Sequence, residues 1–335
     1  MDGLISFLST VIFYGLLLAV LLFVLLCLVL KKISKPHPNI VRSEKENYFL
    51  DPVENQRIKF PLEEEKSAVS LSVVVPAYNE EARLSVMLDE CLEYLSQRKN
   101  NLSGFTYEVI VVSDGSTDKT VQLAQNYSRQ YTPEIVRVLE LQPNRGKGGA
   151  VRLGVQSTRG AVVLFADADG ATKFEDLEKL EDSLKDCLKI DYLQSPENAA
   201  KALAIVCGSR AHLEDDAIAS RSIFRTFLMH GFHFLVWLFA VRGIRDTQCG
   251  FKLLTRAAAL KCFSNMHIER WAFDVELLYI AQQFKIPITE VAVRWTEVDG
   301  SKIVPVWSWL QMGRDLFLIW LRYFIGAWRL KTKEE

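Results

Sequence analysis

The sequence predicts an α/β domain, a mostly parallel sheet with helices on both faces, held by an N-terminal transmembrane helix. Three observations carry this. Between residues 71 and 165, short apolar runs alternate with segments of helical periodicity, the pattern of right-handed βαβ units. Each run ends in a polar loop, so the loops collect on the sheet edge where open α/β sheets bind ligands. Residues 4–30 are almost wholly apolar and carry no charge, long enough to cross the ~30 Å hydrocarbon layer as a helix.

The N-terminal stretch reads as an anchor rather than a signal peptide. It is too long, no basic residue precedes it and no small-x-small cleavage site follows. Lys31, Lys32 and Lys35 follow it at once, which places the rest of the chain on the cytosolic side by the positive-inside rule. The sequons at Asn101 and Asn126 are then expected to stay unmodified. Residues 31–68, charged and bearing Pro36, Pro38, Pro52 and Pro61, read as a cytosolic linker with little structure of its own.

The 335 residues leave room for one large or two smaller α/β domains beyond the anchor. Forty basic and 41 acidic residues leave a net charge of −1, so the chain lacks the basic field of a nucleic-acid partner. Six scattered cysteines without a Cys-x-x-Cys pair argue against a disulfide framework or structural zinc.

The strands expected are residues 71–75, 107–112, 135–139 and 161–165, with helices at 81–98, 119–130 and 149–158 between them. Strand 161–165 ends in Asp167-Ala168-Asp169-Gly170. Two carboxylates at i and i+2 suit Mg²⁺ or Mn²⁺, whose other positions are filled by substrate phosphates; alternatively they cap the helix starting near Phe174. Asn144-Arg145-Gly146-Lys147-Gly148 suggests contact with a phosphate or base, although the P-loop spacing is absent. No Gly-x-Gly-x-x-Gly follows the first strand, which disfavours a dinucleotide fold. Asp114-Gly115-Ser116-Thr117-Asp118 caps a helix, contacts a base, or does both.

Together these loops resemble the family-two inverting glycosyltransferases of GT-A fold. The matching stretches are Val75-Pro76-Ala77-Tyr78-Asn79-Glu80-Glu81 and the loops at Asp114, Asn144 and Asp167. Gly208-Ser209-Arg210, Asp246-Thr247-Gln248-Cys249-Gly250-Phe251-Lys252 and Gly300-Ser301-Lys302 are similar to the polyprenyl-phosphate branch. The resemblance spans roughly residues 70–305 and implies a set of roles. Pro76, Tyr78, Glu80 and Asp114 line a uridine pocket, Asp114 accepting from the uracil N–H, and Lys147 lies near the nucleotide. Asp167 addresses ribose or metal, and Asp169 ligates a Mg²⁺ or Mn²⁺ ion at the UDP phosphates. Arg210, with Arg221 or Arg225, receives the acceptor lipid phosphate. Asp246 is the catalytic-aspartate candidate, beside Asp169 and Arg210, and Ser301 and Lys302 sit on a loop over the phosphates. The implied reaction moves glucose from UDP-glucose to dolichyl phosphate with inversion, at the endoplasmic reticulum membrane, supplying the lipid-linked glucose for N-glycan precursor assembly. The same chemistry with GDP-mannose, or a silent nucleotide-binding membrane scaffold, are the alternatives.

In the later half, residues 203–206 read as a strand and residues 224–241 as a core helix or one in the membrane interface. His230 and His233 are spaced for a metal pair, without a third ligand to join them. Asp274 and Glu276, on a helix running to Gln283, contact sugar or merely cap and solvate that helix. Residues 288–294 form a further strand. Residues 307–330 combine aromatic residues with Arg314, Asp315, Arg322 and Arg329, which fits an interfacial helix better than a second crossing. The expected organisation is therefore an anchor (1–30), a linker (31–68), a GT-A domain (69–302) and an amphipathic membrane-interface tail (303–335).

Overall fold

The structure, a computed structural model, describes residues 2–61, 67–213, 231, 241–298, 300 and 307–331. Its scaffold is a seven-stranded sheet among the described residues, in the order β5-β4-β3-β6-β8-β7-β9. The first four strands in the chain are β3 (Val69–Ala77), β4 (Tyr107–Asp114), β5 (Val136–Leu141) and β6 (Gly160–Ala166). All of them pair in parallel, as the strand–helix alternation requires. On the far side, β7 (Ile205–Ser209) and β9 (Ile288–Ala292) are parallel to each other. Between β6 and β7 lies β8 (Phe251–Thr255), antiparallel to both.

Successive side chains on a strand point to opposite faces, and here both faces are covered. Val74, Ile110, Val112, Val163 and Phe165 pack under α4 (Lys147–Val155), α7 (Arg256–Phe263) and α8 (Phe273–Gln283). Leu71, Val73, Val75, Val109, Val111 and Leu164 face α2 (Leu84–Asn101), α3 (Thr120–Tyr131) and α5 (Leu177–Leu188). This double burial explains strands written as unbroken apolar runs.

The chain runs outward from β3 through β4 to β5, then returns through α4 to β6 on the other side of β3. The direction of winding therefore reverses between β3 and β6, the switch point at which such sheets open a crevice. The ladders agree: β3–β6 pairing stops at Val74 opposite Phe165, whereas β3–β4 pairing continues to Ala77 opposite Ser113. Pro76, expected to end the first strand, is buried within it opposite Val112. Its missing N–H falls where the β6 ladder has already ended.

One expectation needs correction. The linker is structured: β1 (Tyr48–Asp51) and β2 (Gln56–Lys59) form an antiparallel hairpin. Phe49 and Phe60 are buried with ring centroids 5.0 Å apart, and the Arg137 guanidinium lies 4.8 Å over Phe49. Buried Glu46 binds Arg145 and accepts the Gln142 N–H, which fastens this segment beside β5. The C-terminal helix α9 (Trp307–Phe324) buries Met312, Leu316 and Ile319 against the domain, and Tyr323 donates to Glu276 of α8. One side of α9 therefore packs on the domain.

At the other end, α1 (Asp2–Ile33) is exposed over most of its length and meets the domain in its last turns, where Leu30 is buried. Its residues Ile5–Ile33, of mean hydropathy 3.1, form the one helix among the described residues long and apolar enough to cross a membrane. The six cysteines are free.

Candidate active site

The C-terminal edge of the sheet gathers the polar loops, and the loops after β3 and β4 are laced together. Asn79 and Glu80 donate backbone N–H groups to Ser116 Oγ (3.1 Å) and Thr120 Oγ1 (2.8 Å), while Asn79 Oδ1 accepts from Thr117 N (2.8 Å). Asp118 accepts from Glu81 N and also from Thr120 N at the start of α3. Asp114 is buried, and its two oxygens take the N–H groups of Arg145 (2.7 Å) and Gly146 (2.8 Å). The carboxylate expected to read uracil is therefore already engaged in shaping the Asn144–Gly146 turn. Burial raises its pKa against the pull of those two N–H groups. Gly146 is needed in that turn: its φ is +85°, and a Cβ would stand 2.6 Å from Glu269 O.

The turn launches α4, whose first residue, Lys147, reaches across to β6. Its Nζ lies 2.6 Å from Asp167 Oδ1, and the attraction of Asp167 and Asp274 outweighs burial and raises the lysine pKa. Asp169 Oδ1 accepts the Ala171 N–H (3.0 Å), and its other oxygen faces Arg83 Nη1 at 4.0 Å. Arg83 in turn forms a fork onto Glu80, at 2.7 and 2.6 Å, and Gly300 lies against its guanidinium. The expected Lys147, Glu80, Asp167 and Asp169 thus meet in one place, with Arg83 among them. Arg83 escaped notice as one more charge at a helix start. Tyr78, at the end of β3, is 42% exposed on the same edge.

Asp167 rests on β8. Asp167 N donates to Gly250 O (3.0 Å), and a Cβ at residue 250 would fall 2.0 Å from Asp167 Oδ2. No side chain fits there, which gives Cys249-Gly250 a physical reason. Two residues on, Lys252 is fully buried, its Nζ donating to Cys249 O and Asp274 Oδ1, both at 2.6 Å. Asp274 holds that ammonium charged against the cost of burial. Asp274 therefore neither meets solvent nor caps its helix for show. Glu276 is equally buried, accepting from His267 N, Ile268 N and Tyr323 Oη.

Arg210, expected to hold the acceptor phosphate, and Asp246, the expected catalytic carboxylate, hold each other. Arg210 Nε and Nη2 donate to Asp246 Oδ2 (2.7 Å) and Oδ1 (2.9 Å), and Arg210 N also reaches Oδ2 (2.9 Å). Gln248 N adds a fourth donor. Burial pushes the Asp246 pKa up, but the guanidinium outweighs it and leaves the carboxyl below its usual value. A carboxylate so engaged is a weak base and a good clamp. Trp295 lies under the Arg210 guanidinium at 5.4 Å, and the charge of Asp167 is felt there too. Arg221, Arg225, Ser301, Lys302, His230 and His233 lie outside the described residues.

Asp167 and Asp169 suit a divalent cation. Both side chains offer the hard oxygens that Mg²⁺ and Mn²⁺ prefer, and Asp167 Oδ1 meets the Lys147 ammonium rather than a fixed backbone donor. Among the described residues no group of three or more His, Cys, Asp or Glu side chains could hold a metal ion.

The family model "Glycosyl transferase family 2" matches residues 72–258, from β3 to the start of α7. A Drosophila melanogaster dolichyl-phosphate beta-glucosyltransferase is 61% identical, with 95% of this chain and 94% of that protein covered. The Homo sapiens protein of the same name is 56% identical, with 96% of each covered. A solved glucosyl-3-phosphoglycerate synthase from Mycobacterium tuberculosis, in complex with Mn²⁺, uridine-diphosphate and glucosyl-3-phosphoglycerate, is 17% identical with a TM-score of 0.48, covering 79% of this chain and 82% of its own. The chain belongs to glycosyl transferase family 2, and within it to the family of dolichyl-phosphate beta-glucosyltransferases.

Proposed function

We propose that this chain transfers glucose from UDP-glucose to dolichyl phosphate with inversion at the sugar carbon, giving dolichyl β-D-glucosyl phosphate for N-glycan precursor assembly. The observation that carries the reading is the meeting of Lys147, Asp167, Asp169 and Arg83 at the mouth of the β3/β6 crevice. A pyrophosphate needs such a mixture of cations and metal-binding oxygens. Asp167 and Asp169 would hold a Mg²⁺ or Mn²⁺ ion, which when bound neutralises charge gathering on the departing UDP. Lys147 and Arg83 add fixed positive charge beside the same phosphates.

The acceptor needs little activation. A phosphate monoester has its second pKa near ~6, so most of it is dianionic at neutral pH. What it needs is position. Arg210, squared by Asp246 and seated over Trp295, presents a planar cation on the acceptor side. Asp246 then acts by aiming Arg210 rather than by removing a proton. The protein is placed in the endoplasmic reticulum membrane through α1, with the catalytic domain on the cytosolic side, next to a lipid acceptor.

The test is transfer of labelled sugar to dolichyl phosphate by the full-length protein, from UDP-glucose or GDP-mannose, with and without Mg²⁺ or Mn²⁺. Metal-dependent transfer from UDP-glucose is the expected result. Transfer from GDP-mannose alone replaces the donor and keeps the site. Binding of UDP without transfer from either overturns the reading.

A further inference from the structure

Away from the active site, a cleft of about 370 Å³ opens where α1 leaves its apolar stretch. Ile33, Ser34, Lys35 and His37 form one wall, and Arg152, His267, Arg322 and Trp328 the other. Cations dominate its lining: Lys35, Arg152 and Arg322 meet one lining carboxylate, Glu269, already paired to Arg152, while Glu276 lies behind the wall, 3.3 Å from His267 Nδ1. Arg322 pairs with no carboxylate among the described residues. It lies 4.7 Å over the Trp328 ring, burial depresses its pKa, and its Nε is buried without a hydrogen-bond partner. His267 has a side chain only 8% exposed, stacked 4.1 Å from Trp328. Its Nε2 has no partner, nor do Ser34 Oγ and Arg152 Nε. Buried polar groups are normally satisfied, so unsatisfied donors around one basic cleft mark a place for an anion.

The position of the cleft identifies the anion's source. It begins at the last residue of α1, just past Lys31 and Lys32. If α1 spans the bilayer, as proposed above, the cleft stands at headgroup level, where basic residues meet anionic lipid. The wall is also fixed in place: Arg329 N donates to Pro36 O (2.8 Å), and Lys331 N to Asn265 Oδ1 (2.6 Å). We propose that this cleft binds the phosphodiester headgroup of an anionic membrane phospholipid, at a site separate from the one for the acceptor. Arg322 and His267 would take the phosphate, and Lys35 would close over its rim.

Full-length protein in detergent is mixed with phosphatidylinositol or phosphatidylcholine, and retained lipid is measured by native mass spectrometry. Phosphatidylinositol is expected to be held in preference, and dolichyl phosphate is expected not to displace it. Arg322→Gln should lower retention about fivefold, the worth of one basic residue at a membrane surface. Lys35→Gln, on the exposed rim, should lower it in the same sense without risk to folding. Arg314→Gln, on the exposed side of the same helix, should leave it unchanged. Equal retention of both lipids, or equal retention by wild type and both cleft variants, overturns the proposal. Displacement of the lipid by inorganic phosphate at similar concentration assigns the site to soluble phosphate and overturns the lipid assignment. Displacement by dolichyl phosphate merges it with the acceptor site and overturns it too. Carbonate extraction of membranes tests the reading of α1 separately, because the lipid preference is measured in detergent.

Discussion

The aspartates of the site differ in their main partners on the two sides of β6. On the side of β3, β4 and β5, Asp114 and Asp118 accept backbone N–H groups, and Asn79 does the same with its amide oxygen. On the side of β8, β7 and β9, carboxylates hold side-chain cations: Asp246 with Arg210, Asp274 with Lys252, and Asp167 with Lys147 at the border. A backbone donor cannot leave, so the first side is a rigid frame that exists with or without a ligand. A lysine or arginine can exchange one anion for another, so the second side carries charge that an arriving phosphate can share. Fixed shape thus sits where a nucleotide would be recognised, and redeployable charge where groups would be transferred.

The largest effect should come at the border. Asp169→Ala should lower kcat by on the order of 10³-fold, as loss of a main electrostatic element does, while thermal melting changes little. Among the described residues the Ala171 N–H loses its hydrogen-bond partner, and Arg83, 4.0 Å away, keeps its fork onto Glu80. A near-normal rate would remove Asp169 from the mechanism and leave the border without its distinguishing chemistry.

Lys252→Met should act on stability instead. It leaves buried Asp274 without its hydrogen-bonded cation and with the attraction of Lys147 in its place, and breaking a buried pair from one side costs ~3–5 kcal/mol. The double variant Lys252→Met/Asp274→Leu should recover most of that in denaturant unfolding. A double variant as unstable as the single one would mean that the pair is not an isolated unit. Next comes Arg210→Lys, which keeps the charge and loses the fork onto Asp246. A misplacement of this kind costs about 10²-fold in kcat, with unfolding unchanged. An equal fall in stability would instead class Arg210 with the frame.

The same division marks what can be read in the sequence. Strands β3 to β6 are plain there because each is an apolar run ended by a polar loop. Strand β8 is not, because Lys252 breaks its apolar pattern, and only the fold supplies Asp274, 22 residues further on, to make burial of that charge tolerable. The β1–β2 hairpin is hidden for a related reason. Its strands are four residues each, and the two rings that anchor it, Phe49 and Phe60, sit among charges and prolines that otherwise spell a linker. Candidate residues at the site were legible singly, from motif and spacing. Their pairing was not: the residues of Arg210–Asp246 are 36 apart, and Asp114 accepts from Arg145 N, 31 residues on.

The smallest prediction separates the two sides by sign. Burial raises the Asp114 pKa more than its two N–H donors lower it, so the folded state takes up that proton at higher pH than the unfolded chain. For Asp246 the Arg210 guanidinium outweighs burial, and the folded-state pKa falls below the unfolded value of ~3.9. Linkage then assigns opposite slopes. Asp246 contributes stability that is present above ~3.9 and is lost as pH falls through its lower folded value. Asp114 penalises folding at neutral pH, and the penalty is relieved as pH falls through its raised value. Asp246→Asn should therefore flatten the acid limb of a stability–pH curve, and Asp114→Asn should steepen it, when each is measured by denaturant unfolding from neutral pH into the acid range. Both variants keep the volume of the side chain and an acceptor oxygen, so a shift of the whole curve reports lost contacts and only the change of slope reports the proton. Slopes that change in the same direction would mean that the frame and the charged half are not electrostatically distinct.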